Sequence, residues 1–347
     1  MSTPFNRILV IQTAFLGDVV LTTPLFRALR RRFPDARLDV LVTPAAAPLV
    51  EEDPHLDTVL TYDKRGREPL AGVARRLRQE GYDLLLAPHR SHRTALLGWM
   101  SRAPLRIGFR DAGLGLLYHR RVARPMELHE VDRNLELLRG LGLAPEPDDR
   151  VLHVGYTDRE AREVERLLQG AGVAPDEPLA ALAPGSVWAT KRWTAEGFAA
   201  VGRGLRDRGY RVVILGGPGD RDVARQVAGG IGPGVVDAVG RTSLKALAAW
   251  MDRVALLVTN DSSPLHVAAA RGTPVVALFG ATTLDLGFGP FHDRSRVVQA
   301  DLPCRPCGLH GGRVCREGHF RCMRDIPPEA VLEACQELLR KGAESGA

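Results

Sequence analysis

Apolar runs of roughly four to six residues alternate with amphipathic stretches of roughly ten to fifteen along most of the chain. In the first half, Ile8–Ile11, Leu38–Val42, Thr58–Leu60, Leu84–Ala87 and Arg106–Gly108 predict strands. Val19–Arg32, Leu70–Glu80, Thr94–Met100 and Val131–Leu141 predict helices between them. In the second half the predicted strands are Leu179–Ala183, Val212–Leu215, Val235–Asp237, Val254–Val258 and Val275–Phe279. The helices are Ala195–Arg208, Arg221–Gly230, Leu244–Trp250, Pro264–Arg271 and Pro328–Leu339. Short apolar strands separated by helices indicate parallel sheets covered on both faces, hence an α/β protein.

The alternation breaks between Leu141 and Pro178, where Pro145, Pro147, Pro175 and Pro178 interrupt regular structure. Each half then starts afresh with a strand. The organisation expected is two doubly wound domains facing across a cleft, residues 1–160 and 175–326. A C-terminal helix, 327–347, follows, and its return toward the first domain is left open. In such sheets, ligands bind outside the carboxyl ends of the strands.

The chain has 347 residues, 45% hydrophobic and 25% charged, enough to build two cores and unlike a disordered protein. No apolar stretch approaches the ~18 residues of a membrane span. The N-terminus lacks signal-peptide anatomy, so a cytoplasmic chain with reduced cysteines is expected. The net charge of +6 is unevenly spread: between Lys64 and Arg124, 14 Lys/Arg stand against 4 Asp/Glu. That stretch reads either as a solvated surface or as a face for an anionic partner. With aromatics at 5% and no helix-turn-helix or RNA-binding signature, nucleic acid is not the expected partner.

Four constellations carry chemistry. After the first strand, a Thr13–Gly17 loop leads to Asp18 at a helix start, as an N-cap or as a catalytic base. The loop lacks Gly-x-Gly-x-x-Gly and Walker A spacing, which argues against a dinucleotide or P-loop site. After Leu179–Ala183 come Gly185, Ser186 and Lys191, one of only four lysines; its compact ammonium suits a phosphate oxygen. After Val254–Val258, Asn260-Asp261-Ser262-Ser263 precedes Pro264. This is a strong helix start and also an anion site of small hydroxyls at a helix N-terminus, with His266 one turn in. The fourth is Cys304-x₂-Cys307-x₇-Cys315-x₆-Cys322. Four thiols suit a structural zinc or iron, but the spacing is irregular for a zinc ribbon, and packing is the favoured reading. Cys335 falls in the final helix as a core residue. A short Gly-rich turn, Gly216–Asp222, permits close backbone approach to a ligand.

In this order the motifs resemble glycosyltransferase family 9, the ADP-heptose:lipopolysaccharide heptosyltransferases. The resemblance rests on Gly17-Asp18, the Pro184–Trp193 segment with its Lys-Arg-Trp, and Thr259–Gly280. The cysteine-rich tail is similar to that of the family's heptosyltransferase II members. The resemblance implies a GT-B fold with acceptor binding in the first domain and nucleotide-sugar binding in the second. It implies inverting transfer from ADP-heptose to a heptosyl-Kdo-lipid A core, with no cofactor required. It places the catalytic base on Asp18 and the phosphate lysine on Lys191. Donor contacts then fall on Ser186, Thr242, Ser243, Asp261, Ser262, Ser263 and His266. Ser263 stands where the family usually has glycine, which narrows the space beside the phosphates. Arg90, Arg93 and Arg106, flanking predicted strand ends in the basic stretch, are the acceptor candidates. Peripheral contact with the inner membrane follows from a lipid-linked acceptor. The rival readings are a same-fold heptosyltransferase acting on Kdo or a protein, and a non-catalytic nucleotide- or anion-binding module.

Overall fold

A computed structural model describes residues 5–66 and 68–345, with side chains described through residue 341. The chain forms two compact units, 1–155 and 156–347.

The first unit runs β1 (Arg7–Ile11), α1 (Leu16–Val20), α2 (Thr23–Arg32), β2 (Arg37–Val42), β3 (Thr58–Thr61), α3 (Leu70–Glu80), β4 (Leu84–Ala87), α4 (His92–Ser101), β5 (Leu105–Phe109), β6 (Arg120–Val122) and α5 (Glu130–Leu135). Its six strands are all parallel, in the order β3-β2-β1-β4-β5-β6. The second unit runs α6 (Asp158–Gly170), β7 (Leu179–Ala183), α7 (Ala195–Arg206), β8 (Arg211–Ile214), α8 (Arg221–Ile231), β9 (Val236–Asp237), α9 (Ala246–Arg253), β10 (Leu256–Asn260), α10 (Ser263–Arg271), β11 (Val275–Phe279), β12 (Ser295–Gln299), α11 (Arg321–Arg324) and α12 (Pro328–Ser345). Its strands are also all parallel, in the order β12-β11-β10-β7-β8-β9.

Each sheet therefore has the Rossmann order, in which the direction of winding reverses once. The reversal falls between β1 and β4 in the first unit and between β7 and β10 in the second. Loops on either side of such a point splay apart at the carboxyl ends of the strands and leave a crevice. Fully buried strands such as Ile8–Ile11, Leu179–Ala183 and Val275–Phe279 form the two cores.

Where the structure differs from the sequence pattern, the cause is local. The single helix predicted over Val19–Arg32 breaks between α1 and α2. Pro24 has no N–H to donate to the Val20 carbonyl. The Thr23 hydroxyl donates there instead at 2.8 Å, and the Thr22 hydroxyl donates to the Asp18 carbonyl at 2.8 Å. The stretch 158–170, read as part of a linker, is helix α6, started by a Thr157/Glu160 capping box. Residues 147–155 belong to the first unit: Arg32 pairs with Asp149 at 2.8 Å, and the His153 amide donates to Thr23 at 2.9 Å. Helix α12 packs against α7 and strands β10 to β12, with Leu332 filling the space at Gly204, so it is part of the second unit.

Candidate functional site

In the first unit Asp18 sits in the third position of α1, just beyond β1 and beside the reversal point. Its side chain does not begin the helix; Phe15 is the N-cap residue. The carboxylate reaches back to accept from the Phe15 and Asp18 backbone N–H groups, and it is partly buried. Desolvation, reinforced by the Glu130 carboxylate, pushes its pKa up to about 7; the backbone bonds and the nearby Arg124 act in the opposite direction. A carboxyl balanced near neutrality suits proton acceptance at physiological pH.

The surroundings of Asp18 come from residues distant in sequence, which no motif announces. Thr22, fully buried, receives hydrogen bonds from Gln12 Nε2 at 2.9 Å and Asn134 Nδ2 at 3.4 Å while it donates to the Asp18 carbonyl. Asn134 also donates to the Leu21 carbonyl at 3.1 Å. Helix α5 thus fixes the backbone of the Asp18 turn. The same helix carries Glu130, which pairs with Arg124 and, at 3.1 Å, with Arg133, all three side chains being almost completely buried. Lys64 Nζ donates to the Thr13 carbonyl and lies close enough to Asp18 for their charges to interact; burial and Arg93 hold its pKa below the usual lysine range. His89 Nδ1 lies 3.1 Å from the hydroxyls of both Thr13 and Thr94. Burial, Lys64 and Arg90 push its pKa down to about 4, so the ring is neutral at pH 7.

Arg90 follows β4 at the same edge of the sheet and pairs with Asp111 at 2.5 Å; Arg93, exposed on α4, donates to the Lys64 carbonyl at 3.3 Å. Arg106 does not belong with them. It is the second residue of a parallel strand and so lies at the amino end of the sheet. Its guanidinium donates to the Ala103 and Leu117 carbonyls at 2.7 and 3.2 Å. Flanking a strand end was the reason to group it with the other two, and the strand's direction removes that reason.

In the second unit Lys191 follows β7 and Asp261 follows β10, on opposite sides of the reversal point. Lys191 Nζ is 2.5 Å from Asp261 Oδ2, and the Thr282 hydroxyl donates to the same oxygen at 2.6 Å. Both side chains are largely buried. Asn260 ties the loops together: its Oδ1 accepts from the Trp193 amide at 3.0 Å, and its Nδ2 donates to the Pro184 carbonyl at 2.8 Å. Gly185 must lack a side chain because the Asp220 carboxylate occupies that space, 2.4 Å from where a Cβ would be. The Gly-rich turn after β8 thereby packs on the loop after β7.

Ser186 is nearly buried, its hydroxyl accepting from the Trp188 amide at 3.3 Å. Ser262 is the N-cap residue of α10, but its side chain makes no cap bond; its hydroxyl donates to the Asn260 carbonyl at 3.3 Å. Asp261 does not cap the helix amides either, since Lys191 and Thr282 engage it. Ser263 is the first residue of α10, and His266 is 4% exposed within it. Thr242 and Ser243 lie in the turn after β9. Thr242 accepts from the Trp250 indole at 3.2 Å, and Ser243 donates its amide to Glu163 at 2.6 Å.

The cysteine-rich segment abuts the Lys191 turn. Thr190 and Gly312 exchange hydrogen bonds, amide to carbonyl at 3.0 Å and amide to hydroxyl at 2.7 Å. A side chain at Gly311 would meet Trp188 Cβ at 2.5 Å and the Lys191 stem at 3.0 Å. The Cys307 amide donates to the Ala281 carbonyl at 2.9 Å, and Cys322 belongs to the core. All five cysteines are free. Burial and the neighbouring cysteines push the Cys307 and Cys322 thiols up. Among the described residues, no group of three or more His, Cys, Asp or Glu is arranged to hold a metal ion.

Two all-parallel sheets in Rossmann order, each with charged groups gathered at its reversal point, are the architecture of the GT-B fold class. The family model described as glycosyltransferase family 9 (heptosyltransferase) matches residues 70–317, and the chain belongs to that family. It is 27% identical to lipopolysaccharide heptosyltransferase 2 of Salmonella typhimurium over 96% of this chain and 98% of that one. It is 30% identical to lipopolysaccharide heptosyltransferase 3 of Escherichia coli over 77% of this chain and 82% of that one. The solved family 9 glycosyl transferase of Veillonella parvula superposes with a TM-score of 0.85 at 29% identity, covering 98% and 99% of the two chains.

Proposed function

We propose that the chain transfers heptose, with inversion, from ADP-heptose to a heptosyl-Kdo-lipid A acceptor in assembly of the lipopolysaccharide inner core. The observation that carries this reading is the placement of Asp18, with its pKa about 7, beside the reversal point of one sheet in a heptosyltransferase of this family. The acceptor hydroxyl gives its proton to the Asp18 carboxylate as its oxygen bonds to the anomeric carbon. The bond from that carbon to the phosphate oxygen breaks, and ADP departs with the electron pair. Lys191 and the amides at Ser262 and Ser263 stabilise the negative charge that develops there. Asp261 receives hydroxyls of the donor sugar, and Ser186, Thr242, Ser243 and His266 line the nucleotide side. Arg90 and Arg93 meet acceptor phosphates and carboxylates. No cofactor takes part. A lipid-linked acceptor places the enzyme at the cytoplasmic face of the inner membrane, and no described helix is long and apolar enough to cross a membrane.

The test is ADP release from ADP-heptose against a panel of truncated cores. Release with the singly heptosylated core, and an inverted anomeric configuration in the product by NMR, are the expected results. Transfer only to an unheptosylated Kdo acceptor or to a protein overturns the assignment of the step.

For the cysteine segment we infer that the contacts with Thr190, Ala281 and the core, rather than a metal, supply its order. Cys304→Ser and Cys307→Ser, both only half-buried, should each change stability by less than about 1 kcal/mol. Cys322→Ser, which puts a hydroxyl in the core, should cost about 1–3 kcal/mol. Elemental analysis of protein purified without chelator checks the inference. One equivalent of zinc or iron that Cys304→Ser releases would assign the thiols to a metal.

A further inference from the structure

The face formed by α4 and the turn after β5 carries large apolar groups that the site does not use. Residues 110–119 lie over α4: a side chain at Gly113 would run into the His92 ring at 2.7 Å, and the Tyr118 ring packs on Gly98. The turn is closed by backbone bonds from Gly113 to the Arg90 carbonyl at 2.9 Å, Gly115 to Ala112 at 2.9 Å and Leu117 to Leu114 at 3.0 Å. These bonds hold Leu114 at φ 57°, a left-handed conformation that a leucine rarely adopts. The result is a rigid projection. Leu116 at its tip is 83% exposed, Leu114 is 45% exposed, and Trp99 on α4 is 54% exposed. Apolar residues scattered singly on a surface need no explanation, but three on one braced face do.

The charge around them has one sign. Arg102 ends α4, Arg110 opens the turn, and Arg121, on the α4 side of β6, follows it; all three are exposed. None of them forms an ion pair with another described residue. From residue 84 to residue 126 the sequence contains a single acidic side chain, Asp111, and Arg90 already engages it. An indole and two leucines ringed by unpaired arginines match the layered chemistry of a bilayer surface, with phosphates outside and acyl chains within. A protein partner would need acidic groups to answer the arginines and a concave apolar patch to receive the projection. An anionic bilayer offers both anywhere on its surface.

We propose that this face docks the protein onto an anionic phospholipid membrane. Trp99, Leu114 and Leu116 enter the interface, and Arg102, Arg110 and Arg121 bind lipid phosphates. The proposal rests on the reading of the acceptor as membrane-borne. It adds where the membrane is met: on the acceptor unit, at the turn that leaves the carboxyl end of β5, two strands from the β1 that leads to Asp18.

Co-sedimentation of the full chain with vesicles tests it. The wild type should bind vesicles of phosphatidylglycerol and phosphatidylethanolamine, bind pure phosphatidylcholine weakly, and release as salt rises. The variant Trp99→Ser/Leu116→Ser should lose roughly ten-fold or more in partitioning. Charge reversal in Arg102→Glu/Arg110→Glu/Arg121→Glu should abolish the preference for anionic vesicles. Both variants should turn over ADP-heptose with a soluble, deacylated acceptor at the wild-type rate, which shows that they fold. Equal binding to both vesicle types, or variants that sediment like the wild type, would overturn the proposal. So would a wild-type dimer in light scattering that Leu116→Ser dissolves, since the face would then join two copies of the chain. Vesicle binding by a wild type that turns over no acceptor would sink the catalytic reading and leave the docking in place.

Discussion

Asp18→Asn should lose about two to four orders of magnitude in kcat and yet leave a protein more stable above pH 7 than the wild type. The two effects share one cause. Burial and the Glu130 carboxylate raise the Asp18 carboxyl from 3.8 to about 7, so the folded state holds the proton more tightly than the unfolded chain does. Below about pH 4 both states are protonated and Asp18 contributes no penalty. As pH rises toward 7 the unfolded chain has released its proton while the folded state still retains it, and stability falls. Above 7 the full cost of a buried charge is present, at most about 4 kcal/mol for a shift of this size. Asparagine keeps an oxygen for the Phe15 and Asp18 amides but never ionises, so that cost vanishes at pH 8 and the difference closes below pH 4. Thermal melts of both proteins across pH check the stability. The wild-type kcat/KM should climb with pH and level off only above about 7, some three units above the point expected of an ordinary aspartate. Near-wild-type turnover in the asparagine variant would leave Asp18 as a helix-start residue and no more.

This coupling could not be read from the motif. Gly17-Asp18 after an apolar run marks a strand-loop-helix, and the structure has one there. The groups that tune Asp18, however, are Glu130 and Arg124, more than a hundred residues away, and Asn134, which braces the turn through Thr22. None of them lies in a patterned segment that singles it out. The same limit applies to the fold. Strands buried on both faces, such as Leu84–Ala87 and Val275–Phe279, are legible because every side chain in them is apolar. Two of the four edge strands, Arg120–Val122 and Ser295–Gln299, are not, because solvent reaches them and polar residues interrupt their apolar pattern. Helix α6 was legible in principle. Thr157 and Glu160 have capping-box spacing, and Val164 and Leu168 are four apart on one face. The prolines at 145, 147, 175 and 178 flank the segment without entering it, so they bound the helix rather than break it. Arg106 shows a different failure. The apolar pattern marks the strand, but in a parallel sheet only one end of each strand faces the site, and the residue stands at the other.

Lys191→Ala should cut ADP affinity and lower kcat by about 10²–10³. Alone, that result would not separate a phosphate contact from a structural one. The ammonium lies 2.5 Å from Asp261, whose carboxylate is 6% exposed and keeps only Thr282 as a neutral partner once the lysine is gone. Removing one member of a buried pair typically costs about 3–5 kcal/mol, because the remaining charge is stranded in a poor solvent for it. A destabilised loop could then lose ADP for reasons unrelated to the phosphates. The double variant Lys191→Ala/Asp261→Asn resolves this. Asparagine retains an oxygen for the Thr282 hydroxyl and carries no charge, so stability should return close to that of the wild type. If Lys191 holds the diphosphate, ADP affinity measured by calorimetry should stay as low in the double variant as in the single one. ADP rather than ADP-heptose is the ligand to use, since it lacks the sugar that Asp261 is proposed to receive. Asp261→Asn alone should therefore bind ADP nearly as the wild type does while its KM for ADP-heptose rises. Recovery of ADP affinity together with stability in the double variant would show that the lysine serves only to neutralise Asp261, and the phosphate role would have to pass to the amides at the start of α10.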